Sequence, residues 1–452
     1  MNTDERVAIR AAVLTCIGDP GLDGADVREV HYLPDALVVI ADGRIDAVAP
    51  AEALLPALGE GVPLLDRRGH LLVPGFVDAH VHYPQVDVIA SHGAQLLDWL
   101  ERFTFPAEQA FADRGHAEAT ARFFLDRLLE VGTTTACVFA TVHAASVTAL
   151  FEAAESLGMA LIAGKSHMDR HAPEGLTDTV EAGVAEARAL IERWHGAGRH
   201  GRFGYAITPR FAVTSTPGQL AALGALARAY PSVYVQSHVA ENLGEIEAVA
   251  RLFPGHRSYL EVYDRAGLLR ERSLWAHCIH LDDIDRARLT AAGASSVFCP
   301  SSNLFLGSGL YGLAQALAAG NRVAVGSDVG AGTSYSMLTT LAEGYKVQQL
   351  LGHTLSPAYA LYLATLGGAT ALGLAAELGS IEPGKWADFV LLDGSATPLL
   401  ARRSALSRAR NDPLDLFFAL MMLADDRAVA ETWIAGRVAH RRAVAQPKLA
   451  GG

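Results

Sequence analysis

PGFVDAHVHYPQ (residues 74–85) is the stretch that decides how this chain is read. Its apolar alternation predicts a strand. Side chains at i and i+2 of a strand point the same way, so the imidazoles of His80 and His82 can close on one metal ion. A His-x-His pair by itself fits two ordinary polar residues equally well, and the later segments carry the argument. YVQSHVAEN (234–242), LWAHCIHLDD (274–283) and VAVGSDVGAG (323–332) each begin with a β-branched or aromatic run and place a polar residue where that run stops: His238, His277 and Asp328. Residues so placed sit at the C-terminal ends of parallel strands. In a (β/α)8 barrel that rim is where catalytic groups gather, because the interior is packed and the βα loops are free to vary. His80, His82, His238 and Asp328 then make an N3O set suited to one zinc per chain, with room for a water. Singly, each also reads as a rim residue hydrogen-bonded to a loop; together and in this order they read as a metal site.

Working outward, strand-like runs alternate with stretches rich in Ala, Leu, Glu and Arg. The expected strands are 77–82, 133–140, 160–164, 203–208, 233–238, 273–277, 295–299 and 323–328. Eight strands separated by helices predict a closed parallel sheet, an α/β TIM-like barrel. The two ends of the chain read differently. LVVIADGRIDAVA (37–49) carries Asp42-Gly43 at its centre, a hairpin signal, and KWADFVLLD (385–393) and AETWIAGRVAH (430–440) repeat the pattern near the other end. These segments predict a small β-sandwich built from both ends, giving a division into 1–73, 74–377 and 378–452. The tail AQPKLAGG (445–452) is expected to be disordered.

Charge narrows the function. With 37 basic against 49 acidic residues, net −12, and no basic block, the chain is not expected to bind nucleic acid. The apolar run LFFALMML (416–423) is too short to span a bilayer, so no membrane association is expected. Four cysteines without a Cys-x-x-Cys pair read as buried thiols of a cytoplasmic protein.

At this point the residues resemble the amidohydrolase superfamily, and within it the guanine deaminases. The superfamily likeness rests on PGFVDAHVH, His238, His277, Asp328 and GSIEPGKWADFVLLD (379–393). The narrower likeness rests on LLDWLERFTFPAEQAF (96–111), GTTTACVFATVH (132–143), GKSHMDR (164–170), ITPRFA (207–212) and GSDVGAGTSYSML (326–338). Ser166-His167 and Val329-Gly330 depart from the family pattern, both near the mouth of the site.

The resemblance implies a zinc-dependent hydrolase of cyclic amidines that turns guanine into xanthine and ammonia, acting as a homodimer. It implies His80, His82, His238 and Asp328 as zinc ligands, Glu241 as proton shuttle, and His277 as the group that holds the nucleophile. Gln85, Arg210 and Phe211 match positions that contact the purine, with His238 bordering it. Arg210 offers a planar fork of donors suited to O6 and N7, and the Gln85 amide both donates and accepts. Phe211 and Trp99 are expected either to cover the ring faces or to pack in the barrel mouth. The fourth-strand segment FGYAITP lacks the lysine that bridges two metals in other members, which favours a single zinc; Lys165 falls at the end of the third strand instead. Two other readings remain open here: the same site acting on 8-oxoguanine, a triazine or an adenosine derivative, and a non-catalytic assembly protein of this fold.

Overall fold

A computed structural model describes residues 6–93 and 95–443; the tail expected to be disordered lies outside the described residues. Eight parallel strands form the barrel: β1 (Phe76–His82), β2 (Thr133–Phe139), β3 (Ala160–Gly164), β4 (Phe203–Pro209), β5 (Tyr234–Val239), β6 (Ser273–His277), β7 (Ser295–Phe298) and β8 (Arg322–Val325). They pair in sequence order, and a two-residue strand, Ser166–His167, joins only β4. β2, β3 and β4 are buried along their whole length, as helices packed around a parallel sheet require.

Closure between β8 and β1 lies at the C-terminal rim. The amide of Asp328 donates to the His80 carbonyl and that of His82 to the Val329 carbonyl, both at 2.8 Å. Gly326 permits this approach, because a Cβ there would lie 2.8 Å from the His80 Cβ and 2.9 Å from its carbonyl oxygen. Asp78, fully buried two residues before His80, accepts from the backbone amide and hydroxyl of Ser327 and so ties the two strands again.

Both ends of the chain meet in one seven-stranded sheet, as the hairpin signals imply. The strand Leu64–Pro74 is central: it pairs antiparallel with Phe389–Leu392 on one side and parallel with Val7–Cys16 on the other, which in turn runs antiparallel to Val30–Ala41. Asp42-Gly43 turns with φ of 52° and 78°, and Ala435-Gly436 with 45° and 73°. Two successive positive φ values match the right-handed twist of the flanking strands, which is why a glycine stands second in each. Among the described residues no helix is long and apolar enough to cross a membrane.

Candidate active site

Each polar residue singled out at a strand end reaches the same space at the C-terminal mouth of the barrel. His80 and His82, at i and i+2 of β1, bring their Nε2 atoms to 3.3 Å. His238 on β5 puts its Nε2 3.2 Å from that of His82, and Asp328 Oδ1 lies 3.1 Å from His80 Nε2 and 3.3 Å from His82 Nε2. Four donors bound at ~2.0–2.1 Å in a tetrahedron stand ~3.3 Å apart, and these four separations match that spacing, so the donor set fits a zinc ion. A wider grouping with His277 in place of His82 spans up to 4.8 Å. We favour the set with His82, because the four separations given above are those that tetrahedral bonds span.

Protonation agrees with that reading. Burial holds the His82 imidazole down at about 3 and His238 well below its ordinary value, so both rings are neutral and each can present a lone pair. The Nδ1 of His238 lies 2.6 Å from the Arg210 carbonyl, so Nδ1 carries the proton and Nε2 is the free nitrogen. Burial opposes ionisation of Asp328, but His80 above all outweighs it and keeps the carboxyl well below the usual range.

His277 stands beside this set. Its Nε2 lies 3.4 Å from Glu241 Oε2 and 3.7 Å from Asp328 Oδ2, while its Nδ1 meets Asn303 Oδ1 at 2.9 Å. Burial, reinforced by Asp328, pushes the Glu241 carboxyl up to about 8. Its position follows from the helix after it. Asn242 caps Leu243–Leu252 in a capping box with Glu245, whose Oε2 also accepts from the Glu241 amide at 3.1 Å. Ala240, His277, Cys278 and Asp328 all have φ between 51° and 70°, so the rim holds several non-glycine residues in the left-handed region; such strain gathers at functional sites.

A pocket opens from these groups. Gln85, Leu96, Trp99, Leu100, Arg210, Phe211, Leu306 and Ala331 line it together with His82, His238, Glu241, His277 and Asp328. All the residues singled out from sequence except His80 border it, and His80 lies beneath, 2% exposed. The Gln85 carbonyl oxygen accepts from the Gly330 amide at 3.1 Å, which leaves the amide nitrogen as the group to offer a ligand. Trp99 donates to the Ser91 carbonyl and packs with Phe211 and Phe105 in one apolar cluster, so it is a wall residue as well as a packing residue. Lys165 takes no part: it is wholly buried in an ion pair with Asp178.

Sequence reasoning assigned no role to three residues that touch the site. Glu108, inside the Phe-Pro-Ala-Glu motif, grips Arg210; Asn303, just after β7, holds His277; and Ser308 donates to Glu241 at 3.3 Å. Only Glu108 lay in a stretch already singled out. A larger cleft of ≈ 730 Å³ lies at the opposite end of the barrel around Leu157, Arg199 and Arg437, but its lining offers only one histidine, His200, and one carboxylate, Asp42, and the chemistry is assigned to the smaller pocket.

A parallel barrel carrying three imidazoles and an aspartate on its rim defines a metal-dependent hydrolase class, and the chain belongs to the amidohydrolase family, whose model matches residues 71–439. It is 45% identical over 413 residues to a guanine deaminase of Escherichia coli (strain K12), covering 91% of this chain and 93% of that protein. The solved E. coli guanine deaminase superposes with a TM-score of 0.93 at 43% identity, over 97% of this chain and all of that one. Guanine deaminase from C. acetobutylicum, solved with guanine bound in its active site, matches with a TM-score of 0.85 at 27% identity, over 96% and 99%.

Proposed function

We propose that this protein is a guanine deaminase, hydrolysing guanine to xanthine and ammonia. The observation that carries the reading is one pocket with a zinc-fitting N3O set at one end and the Arg210 guanidinium, with Gln85, among its other lining groups. The high identity to the E. coli enzyme over nearly the whole chain supports it.

His80, His82, His238 and Asp328 would hold a single zinc, which when bound supplies a water acidified toward a pKa of about 7. The remaining steps fall to the chain's own side chains. Glu241 takes a proton from the attacking water and returns it to N3, the ring nitrogen beside C2, so the ring loses aromaticity there as the C–O bond forms. His277, held through Nδ1 by Asn303, turns Nε2 toward the nucleophile and the charge that gathers at the tetrahedral carbon. Asp328 Oδ2, the oxygen nearer His277, accepts a proton from the nucleophile and helps pass it to the departing amine. Cleavage of the C2–N bond then releases ammonia and restores the ring as xanthine.

Recognition uses donors against acceptors. Arg210 meets O6 and N7, the pairing of a planar guanidinium with the outer edge of guanine, and Gln85 donates from its amide nitrogen. Phe211 and Trp99 cover the ring. Adenine presents an amino group where guanine has O6, which leaves the arginine donors unpaired. The reading includes a cytoplasmic homodimer: the four cysteines are buried and unpaired, which suits a reducing compartment, and sedimentation reads the assembly state. The deciding experiment is incubation of the purified protein with a panel of purines and a triazine while ammonia is followed; preferential release from guanine, with xanthine formed, is the expected result.

A further inference from the structure

Arg210 is not a free cation. Its Nη1 donates to both oxygens of Glu108, at 2.7 and 2.6 Å, and the two side chains are 3% and 1% exposed. That spends the hydrogens of one guanidinium arm. Among the described residues no hydrogen bond engages Nε or Nη2, so three donors on the adjacent edge remain. The Arg210 ring neighbour is Phe105, 5.6 Å from Cζ to centroid.

Glu108 comes from the helix Phe105–Gln109, which continues without a break from Leu96–Trp99 through a wide turn at Leu100–Thr104. The same segment therefore supplies the pocket wall, through Leu96, Trp99 and Leu100, and the anchor of the arginine. A buried guanidinium with no counter-charge would carry a large desolvation cost and would swing toward any acceptor within reach.

Resting on the guanine reading above, we infer that Glu108 is a positioning residue for specificity: it clamps Nη1 so that the Nε and Nη2 edge faces the carbonyl side of the purine, and it neutralises the cation beside the metal set. Glu108 touches neither substrate nor nucleophile. Its effect is on how tightly, and in what orientation, a 6-oxopurine is held.

The test compares guanine with 2-aminopurine, which keeps the amine at C2 but lacks O6. In Glu108→Gln the KM for guanine is expected to rise about 10- to 100-fold, the range set by an ångström-scale misplacement, with a much smaller change in kcat. 2-Aminopurine keeps N7 but not O6, so its kcat/KM should fall by less, the ratio of the two kcat/KM values drops, and zinc content stays that of the wild type. In an Arg210→Met background the same substitution should have no further effect on guanine. Glu108→Asp keeps the charge but withdraws the carboxylate by one methylene, and should give the same split at smaller size even if the glutamine variant folds poorly. An equal loss on both substrates, an unchanged guanine KM in either variant, or full additivity with Arg210→Met overturns the inference. Wild-type turnover of guanine is read separately: its absence overturns the functional reading itself and this inference with it.

Discussion

Arg210 serves the site twice, since its carbonyl accepts the Nδ1 proton of His238 at 2.6 Å while its side chain lines the pocket beyond. The first contact belongs to the backbone and orients an imidazole of the proposed metal set. The second belongs to the side chain and faces the pocket where guanine is proposed to bind. Substitution of the side chain therefore separates recognition from metal binding.

Arg210→Met should raise the KM for guanine and leave zinc in place. The wild type is expected to prefer guanine over adenine by as much as about 10⁴-fold, because an adenine-bound site strands buried donors, and the variant should narrow that gap. Steady-state kinetics on both bases, with metal analysis of the variant, checks this. Unchanged guanine kinetics would remove Arg210 from recognition.

Glu241→Gln should retain the metal and lose turnover by about 10²-fold or more, since an amide cannot carry the proton from water to the ring. Structure should be preserved, because Glu245 rather than the Glu241 side chain organises the helix start. A variant with near-native kcat places the shuttle elsewhere.

Metal removal gives a third expectation. Dialysis against a strong chelator should abolish activity, and zinc should restore it with an end point at one equivalent per chain, as one tetrahedral set allows. Two equivalents, or activity that survives chelation, would overturn the single-zinc reading.

Acid stability is predicted from the helices Pro398–Ala409 and Pro413–Leu423. Arg403 first and Ser407 second hold the Asp415 carboxyl down at about 2. Since the folded value lies below the unfolded one of about 4, the stabilisation is complete above that pH and is lost as pH falls toward 2. Asp415→Asn should cost about 1 kcal/mol near pH 7, after allowance for solvent screening of a partly exposed pair, and progressively less in acid. Denaturant midpoints at pH 7 and pH 3 measure it; a deficit independent of pH would exclude the ionic origin.

The barrel strands were legible because each carries its own signal. In β2 and β3 a short buried apolar run is enough to mark the strand, and in β5, β6 and β8 the polar residue at the run's end marks the rim. The hairpins at Asp42-Gly43 and Ala435-Gly436 were legible for the same local reason. Partners were not. Glu108 and Arg210 are separated by 102 positions, Gln85 and Gly330 by 245, and neither member of either pair names the other. His277 could be placed from its strand, but its hold on Asn303 depends on where the short helix Pro300–Phe305 after β7 packs.

What the residue pattern determined by itself, then, was a kind of chemistry at a kind of place: period-2 apolar runs fix which side chains point inward, and a polar residue ending such a run has to sit at the rim. What only the tertiary structure decided was how those groups divide the work. Closure of β8 on β1 brings Asp328 to 3.1–3.3 Å from His80 and His82, the Arg210 carbonyl selects the tautomer of His238, and Glu108 determines which edge of Arg210 is left open to the pocket. Periodicity is a property of neighbouring residues and survives in any reading of the chain. Hydrogen-bond partners and buried charge pairs are set by distances between remote segments, and those distances exist only once the barrel has closed.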